Sequence, residues 1–235
     1  AEKILTRSEQ QQSKDGEYEA DRLLSLSEGS ELTLGVFNTV ARARSVHEAL
    51  RKKKPSQDLL LLHSRFRKPD REAVLAQVLE QPPESGRILV ATQVIEAGMD
   101  ISAKAMLTDC ATWSSMVQRF GRVNRYGEFP MSLIEWIPPD REKKGWPLPY
   151  ETDELEEAVT IMETLETARP YSLPPVTGSI KPQHVLRKRD LTDLFDTTAD
   201  LAGQDLDISR FIRKCDDRNV FLFWREVTEE NLQSQ

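Results

Sequence analysis

ILVATQVIEAGMDISAKAMLTDCATWSSMVQRFGRVNR, residues 88–125, sets the frame for the whole chain. It opens on four apolar residues, Ile88 to Ala91, behind a Ser85-Gly86 turn signal. That is the pattern of a strand buried on both faces. Thr92, Gln93, Glu96, Gly98 and Asp100 follow at once. In an open α/β sheet ligands bind outside the carboxyl ends of the strands, so this polar string stands where a ligand would. A second short strand is expected from Ala105 to Thr108. Ser114-Ser115 then leads into Gln118-Arg119-Phe120-Gly121-Arg122-Val123-Asn124-Arg125. On a helix, Gln118, Arg122 and Arg125 (i, i+4, i+7) share one face. Three arginines within seven residues, with no acid among them, are not the mixed-sign surface of an ordinary helix. Arginine stays charged and presents a planar fork of donors that fits phosphate oxygens. The pattern points to a trap for a charged phosphate.

Working outward, the same grammar repeats. Leu32 to Phe37 (LTLGVF) reads as a buried strand, with Asn38 and Thr39 behind it as N-cap candidates. A helix is predicted from about Val40 to Lys53, where Ala43, Val46, Ala49 and Leu50 fall at helical spacing. Asp58 to Leu62 is a further apolar strand carrying His63-Ser64-Arg65 at its carboxyl end. Asp70 to Glu80 is a helix stopped by Pro82-Pro83. Glu2 to Thr6 is a candidate edge strand, Ser8 to Asp15 a polar loop, and Gly16 to Ser27 a modest helix. Downstream come a strand, Met131 to Ile137, a proline-rich connection to Pro149, and an acidic amphipathic helix, Glu151 to Ala168. The alternation of strand and helix from Leu32 to Arg122 predicts an α/β fold with a parallel, right-handed, doubly wound sheet. The domain plan is a main domain over 1–168, a linker over 169–183 with four prolines, and a mixed α/β appendage over 184–235. That appendage is expected to hold a helix near Val185 to Phe195 and a strand from Val220 to Trp224.

Composition narrows the class. The chain has 235 residues, 38% hydrophobic and 30% charged, which suits one large globular domain or one with an appendage. No apolar run has the length of a membrane span, and the N-terminal AEKILTRSEQQQ has no signal-peptide core. Cys110 and Cys215 stand far apart without metal-type spacing, and read as two reduced thiols of a cytoplasmic protein. Net charge is −7, against a general nucleic-acid sponge, but it is unevenly spread. Ala41 to Arg71 carries ten bases against three acids, and Pro130 onward 21 acids against 13 bases. A basic patch on an acidic body is compatible with a phosphate backbone following one surface. Within the patch, Arg51-Lys52-Lys53-Lys54 read as a solvated helix end, where cations suit the dipole. His47 and His184 read as structural. Trp113, Trp136, Trp146 and Trp224 read as packing residues, since no regular aromatic interleaving marks a base-stacking track. No His/Cys/Asp cluster has metal-ligand spacing.

ATQVIEAGMDIS and QRFGRVNRYGE resemble the fifth and sixth signature motifs of superfamily 2 helicases, which lie in the second of two RecA-like domains. With LLLLHSRFRKPDR at Leu59 to Arg71, the wording is most similar to the helicase–nuclease family of type I CRISPR systems. The resemblance spans roughly Leu32 to Glu128. It implies a RecA-like C-terminal motor domain that closes on ATP held, with Mg2+, mainly by the first motor domain. Arg122 and Arg125 then match the two arginine-finger positions and Gln118 the position that helps place the water and γ-phosphate. Gly98, Asp100 and Arg119 fall to ATP binding, Asp100 near the ribose; an N-cap or turn acid at Asp100 and an interdomain salt bridge at Arg119 are the structural alternatives. Asn38, Thr39 and Thr92 match nucleic-acid positions of the fourth and fifth motifs, and His63, Ser64 and Arg65 join them at the strand ends. For His63 a buried histidine bonded to its loop is the alternative. The implied partners are single-stranded DNA, the first RecA-like domain and the guide-RNA surveillance complex.

The sequence contains no G-x-x-x-x-G-K-[ST] phosphate loop and no metal-dependent nuclease domain, where the family's nuclease metal ions would bind. The chain is therefore expected to be a piece of a longer protein, inactive toward ATP alone. Two rivals stay open: the same domain from another superfamily 2 DNA or RNA motor, and a non-catalytic nucleic-acid- or protein-binding module that keeps its arginines as relics.

Overall fold

The computed structural model describes residues 2–27, 29, 31–176 and 188. Strands β1 (Glu2–Arg7), β2 (Leu32–Val36), β3 (Asp58–Leu62), β4 (Arg87–Ala91), β5 (Ala105–Asp109) and β6 (Met131–Ile137) are interleaved with helices α1 (Glu17–Leu26), α2 (Val40–Lys53), α3 (Lys68–Leu79), α4 (Trp113–Phe120) and α5 (Thr152–Thr164). The strands form one sheet in the order β1-β6-β5-β2-β4-β3, and every pairing is parallel. This is the α/β arrangement that the strand–helix alternation predicts. The appendage expected over 184–235, with its helix and strand, Cys215, Trp224 and His184, lies outside the described residues.

Side chains alternate across the strands and divide the core into two layers. Ile88, Val90 and Leu107 pack with Phe37 under α1 and α2, against Ala20, Leu23, Ala43, Val46 and Leu50. Leu89, Ala91, Met106 and Trp136 face the other way, toward Val78 of α3, Met116 and Phe120 of α4, and Leu155 and Val159 of α5. A central parallel strand covered on both faces must be apolar throughout, and β2, β4 and β5 are buried along their whole length. Gly35 in β2 is there for close approach: a Cβ added to it would lie 2.8 Å from Leu23 Cδ1, so α1 can seat against the sheet only over a glycine.

Boundaries differ from expectation for local reasons. Helix α3 begins at Lys68, two residues early, because Pro69 suits the first turn of a helix. Helix α5 stops at Thr164, not Ala168, because the next residues turn to the open edge of β1: Leu5 N donates to Glu166 O at 3.0 Å and Ala168 N to Lys3 O at 3.0 Å. The proline-rich stretch also starts by packing. Trp113 Nε1 donates to Pro174 O at 3.2 Å, Leu173 rests on the core, and the compact unit runs on to Val176.

Parallel register brings all the carboxyl ends to one edge. Val36 pairs with Ala91 and Thr108, Leu62 with Ala91, and Asp109 with Ile137. Asn38, His63, Thr92 and Cys110 therefore emerge side by side.

Candidate functional site

The site is built from the segment after β4 and the segment around α4. After β4, Gln93–Ile95 make one tight turn, and Gly98, exposed with φ 73°, has open space where a Cβ would stand. Helix α4 ends at Phe120, five residues short of Arg125, so Gln118, Arg122 and Arg125 do not share a helical face. Residues past Gly121 instead form a loop sewn to the β4–β5 segment. Ala103 N donates to Arg122 O at 2.9 Å and Asn124 N to Ala103 O at 2.8 Å. Asn124 takes a left-handed φ of 46°, which Asn tolerates better than most residues. Its side chain donates to Phe129 O at 2.6 Å and accepts from Phe129 N at 3.1 Å, which closes the loop.

The three arginines have three different fates. Arg119 has no exposed surface. Its five N–H groups have five acceptors: Nε on Glu96 Oε1 at 2.8 Å, Nη1 on Thr108 Oγ1 and Asp109 O at 2.9 Å each, and Nη2 on Asn38 Oδ1 at 3.0 Å and Tyr150 Oη at 3.2 Å. A guanidinium used to its full donor capacity has no N–H left over, so in this structure Arg119 is salt-bridged within the fold. The partner is also within the domain, not across an interface. Arg122 is 7% exposed. Its two terminal nitrogens donate to the carbonyls of Met99 and Glu96, while its Nε is buried with no partner. Burial, and then Arg125, push its guanidinium below the ordinary value. Arg125 is exposed and meets Asp100 Oδ1 at 3.0 Å through Nε, while Ser102 Oγ accepts its main-chain N–H at 2.8 Å.

Beneath them lies a second buried cluster that sequence reasoning missed. Asp109, fully buried, accepts from Arg42 Nε at 2.9 Å and Nη2 at 3.0 Å, and from Asn38 N at 3.1 Å. The other side of Arg42 donates to Glu19 Oε1 at 2.7 Å and Ser13 O at 2.9 Å. Burial works against the charged Arg42, but Asp109 and Glu19 outweigh it and raise its guanidinium above the ordinary value. Burial would raise the Glu19 carboxyl, yet Arg42 and Ser13 hold it below the usual range. Arg42 thus leaves the basic surface patch and ties α1 and α2 to the end of β5. Asp109 ends an apolar run, and its type alone was the available signal.

The expected nucleic-acid residues divide. Asn38 is 6% exposed and spends its side chain on Cys110 O, at 2.7 Å, and on Arg119. Thr92 is 3% exposed. Asn38 therefore supports the edge from within, and Thr92 is buried beside it. His63 is buried, its Nδ1 accepts from Arg65 N at 3.2 Å, and its ring lies 4.5 Å from Phe66. Burial, then Arg44 and Arg65, lower its pKa. Its Nδ1 thus has the loop bond of the structural alternative. Thr39 caps α2 by accepting from Arg42 N at 3.3 Å. Ser64, Arg65, Gln118, Gly98 and Asp100 remain on the exposed rim. Two further residues join the site. Glu96 binds Ser115 Oγ at 3.0 Å as well as Arg119, and Tyr150 receives Gln93 Nε2 at 3.3 Å. The Cys110 thiol is pushed up to about 12 by burial, which makes it inert. Among the described residues no group of His, Cys, Asp or Glu is placed to hold a metal, and no helix is long and apolar enough to cross a membrane.

Comparison with known proteins names this arrangement. Residues 29–128 match the family model of the C-terminal part of the CRISPR-associated nuclease/helicase Cas3. Cas3 of Thermoproteus tenax is 34% identical over 98 residues, 41% of this chain and 17% of the relative. A Myxococcus xanthus relative described as a putative CRISPR-associated nuclease/helicase Cas3 is 37% identical over 139 residues, 57% of this chain and 18% of the relative. These matches therefore span less than a fifth of each relative. In structure, T. fusca Cas3 bound to AMPPNP superposes with a TM-score of 0.59 at 23% identity, over 69% of this chain and 21% of that one. A chain of a CRISPR RNA-guided surveillance complex, pre-nicking, superposes with a TM-score of 0.53 at 25% identity, over 69% and 22%. On the sequence matches, with the parallel sheet and the signature segments in their places, residues 29–128 are similar to the C-terminal part of the Cas3 nuclease/helicases.

Proposed function

We propose that this domain is the second motor half of an ATP-driven translocase on single-stranded DNA, which serves target degradation in CRISPR interference together with a guide-RNA surveillance complex. The observation that carries the reading is the loop 121–129: it brings Arg122 and Arg125 from one short stretch against the open turn at Gly98 and Asp100. A first RecA-like domain would supply the phosphate loop and the Mg2+ carboxylates. Arg125, held at its main chain and paired at its tip only with the exposed Asp100, is the residue to reach a γ-phosphate once that surface pair opens. Arg122, pinned by two carbonyls, is the second arginine of the pair. Charge gathers on the transferring phosphoryl group, and an arginine there contributes ~10³–10⁵ in rate. Gln118 stands on the same rim to order the attacking water, with Asp100 at the ribose. Thr39, Ser64 and Arg65 face the backbone of the strand.

The test is steady-state phosphate release by the full-length protein with single-stranded DNA. Arg125→Ala should lose nearly all turnover while ATP still binds, because the arginine acts mainly on charge that develops in the transition state. Near-normal turnover would end the reading. The rival is a binding module whose arginines serve only the fold, and the burial of Arg122 on main-chain carbonyls favours it. Turnover that survives in both Arg122→Ala and Arg125→Ala would establish that rival.

A further inference from the structure

We infer that Tyr126 is a stacking platform for the nucleobase, and so the residue that makes this site prefer a nucleoside triphosphate to bare triphosphate. The inference deepens the proposed function and rests on it.

Tyr126 follows directly on Arg125 and is 61% exposed. It is nevertheless clamped at three points. Its hydroxyl donates to Asp100 Oδ1. Its main-chain N–H donates to Glu128 Oε2 at 3.1 Å. The Arg125 guanidinium carbon sits 5.9 Å from the ring centroid. Such fixing gives an exposed aromatic ring a defined face toward a ligand.

The position follows from connectivity. Asp100 is the acid assigned to the ribose, and the tyrosine hydroxyl is already bound to it. A base hangs from the same sugar, one glycosidic bond away. A flat, apolar, oriented surface one hydrogen bond from the ribose acid is therefore within reach of the base. The phosphates lie toward Arg122 and Arg125. Stacking of a base on an aromatic side chain is tolerant of base identity, because every base has a π-face. A guanidinium beside the ring adds polarisation. The site would thus read that a base is present more strongly than which base it is.

The experiment uses the full-length protein and three variants: Tyr126→Leu, Tyr126→Phe and Arg125→Ala. Each is assayed for the KM and kcat of ATP, and for inhibition by inorganic tripolyphosphate, which has phosphates and no base. Tyr126→Leu should raise the KM for ATP roughly tenfold, the order of one base–aromatic stack, with a smaller change in kcat. Its inhibition by tripolyphosphate should stay that of the parent, and Tyr126→Phe should keep a near-parental KM. An unchanged KM in Tyr126→Leu overturns the inference. So does a loss of tripolyphosphate inhibition in proportion to the rise in KM, since the tyrosine would then act through the phosphate site. Arg125→Ala separates the two levels. If it abolishes turnover while Tyr126→Leu leaves KM unmoved, only the platform is refuted; if it turns over normally, the phosphate site is refuted and the platform with it.

Discussion

The Arg119 guanidinium lies on the Glu96 carboxylate at 2.8 Å, and the arginine side chain has no exposure at all. The same Glu96 offers its main-chain carbonyl to Arg122. One residue of the segment after β4 therefore holds two buried arginines, Arg119 by its carboxylate and Arg122 by its carbonyl. Removing the carboxylate leaves a buried charge short of a partner, which costs about 3–5 kcal/mol in general. Four other acceptors stay with Arg119, so Glu96→Ala belongs at the lower end. For a domain of this size about 3 kcal/mol corresponds to a fall on the order of 10 °C in Tm. Glu96→Gln keeps an acceptor for Arg119 and should melt well above Glu96→Ala. Equal melting of Glu96→Ala and the parent would show that the ion pair contributes nothing.

Arg122 and Arg125 should separate in stability before any activity is measured. Arg122→Ala orphans two carbonyls under the loop, about 2–3 kcal/mol for a charged donor lost, and should lower Tm by several degrees. Arg125→Ala removes one exposed ion pair, worth about 0–1 kcal/mol, and should melt like the parent. Thermal melting of the two variants decides it. Identical melting points would contradict the burial difference on which the division of labour rests.

The Arg42 cluster predicts an acid dependence of definite sign. Although burial by itself would raise it, the Glu19 carboxyl is held below the usual range by Arg42 and Ser13. A depressed carboxyl contributes stability that is complete above the ordinary glutamate value, about 4.3, and is lost as the pH falls through the folded-state value. Glu19→Gln lacks this titration. The gap in Tm between parent and Glu19→Gln should be widest near neutrality and should narrow below about pH 4.3. A gap that stays constant into acid would mean that Glu19 is not charged in the folded state.

On single-stranded DNA this domain alone should bind weakly and with a shallow salt dependence. The residues left on the exposed rim include Arg65, Lys68 and Arg71, while Arg42 is buried and Lys53 is paired with Glu17 and Asp21. With a slope of roughly −0.7 per phosphate contact on single strands, a few contacts give a plot of log affinity against log salt of about −2. Titration of a labelled oligonucleotide at several salt concentrations measures it. A flat plot would exclude backbone tracking by this rim.

Legibility in the sequence was greatest where one periodicity governs. Helix α2 and strands β3 and β6 fall at the residues expected of them, because burial on both faces or one face leaves an unambiguous apolar pattern. It was least where a polar residue serves the interior. Arg119, Arg42 and Asn38 are the types one assigns to a ligand, yet each finds its acceptors inside the domain, and only three-dimensional neighbours reveal that. The helix expected to carry Gln118, Arg122 and Arg125 was an error of length: spacing alone cannot show that Ala103 would claim the main chain of Arg122 and Asn124. Glu96 stood in the right polar string, but nothing in its spacing marked it as the hub.

The seam between β1 and residues 166–168 has a mechanical meaning. Segments more than 150 residues apart in sequence meet there through the main-chain bonds of Leu5 with Glu166 and of Ala168 with Lys3. A pull on the main chain of β1 would therefore have to break this seam together with the parallel ladder to β6, so the edge strand is fastened from both sides and the strand-end rim keeps its geometry behind it.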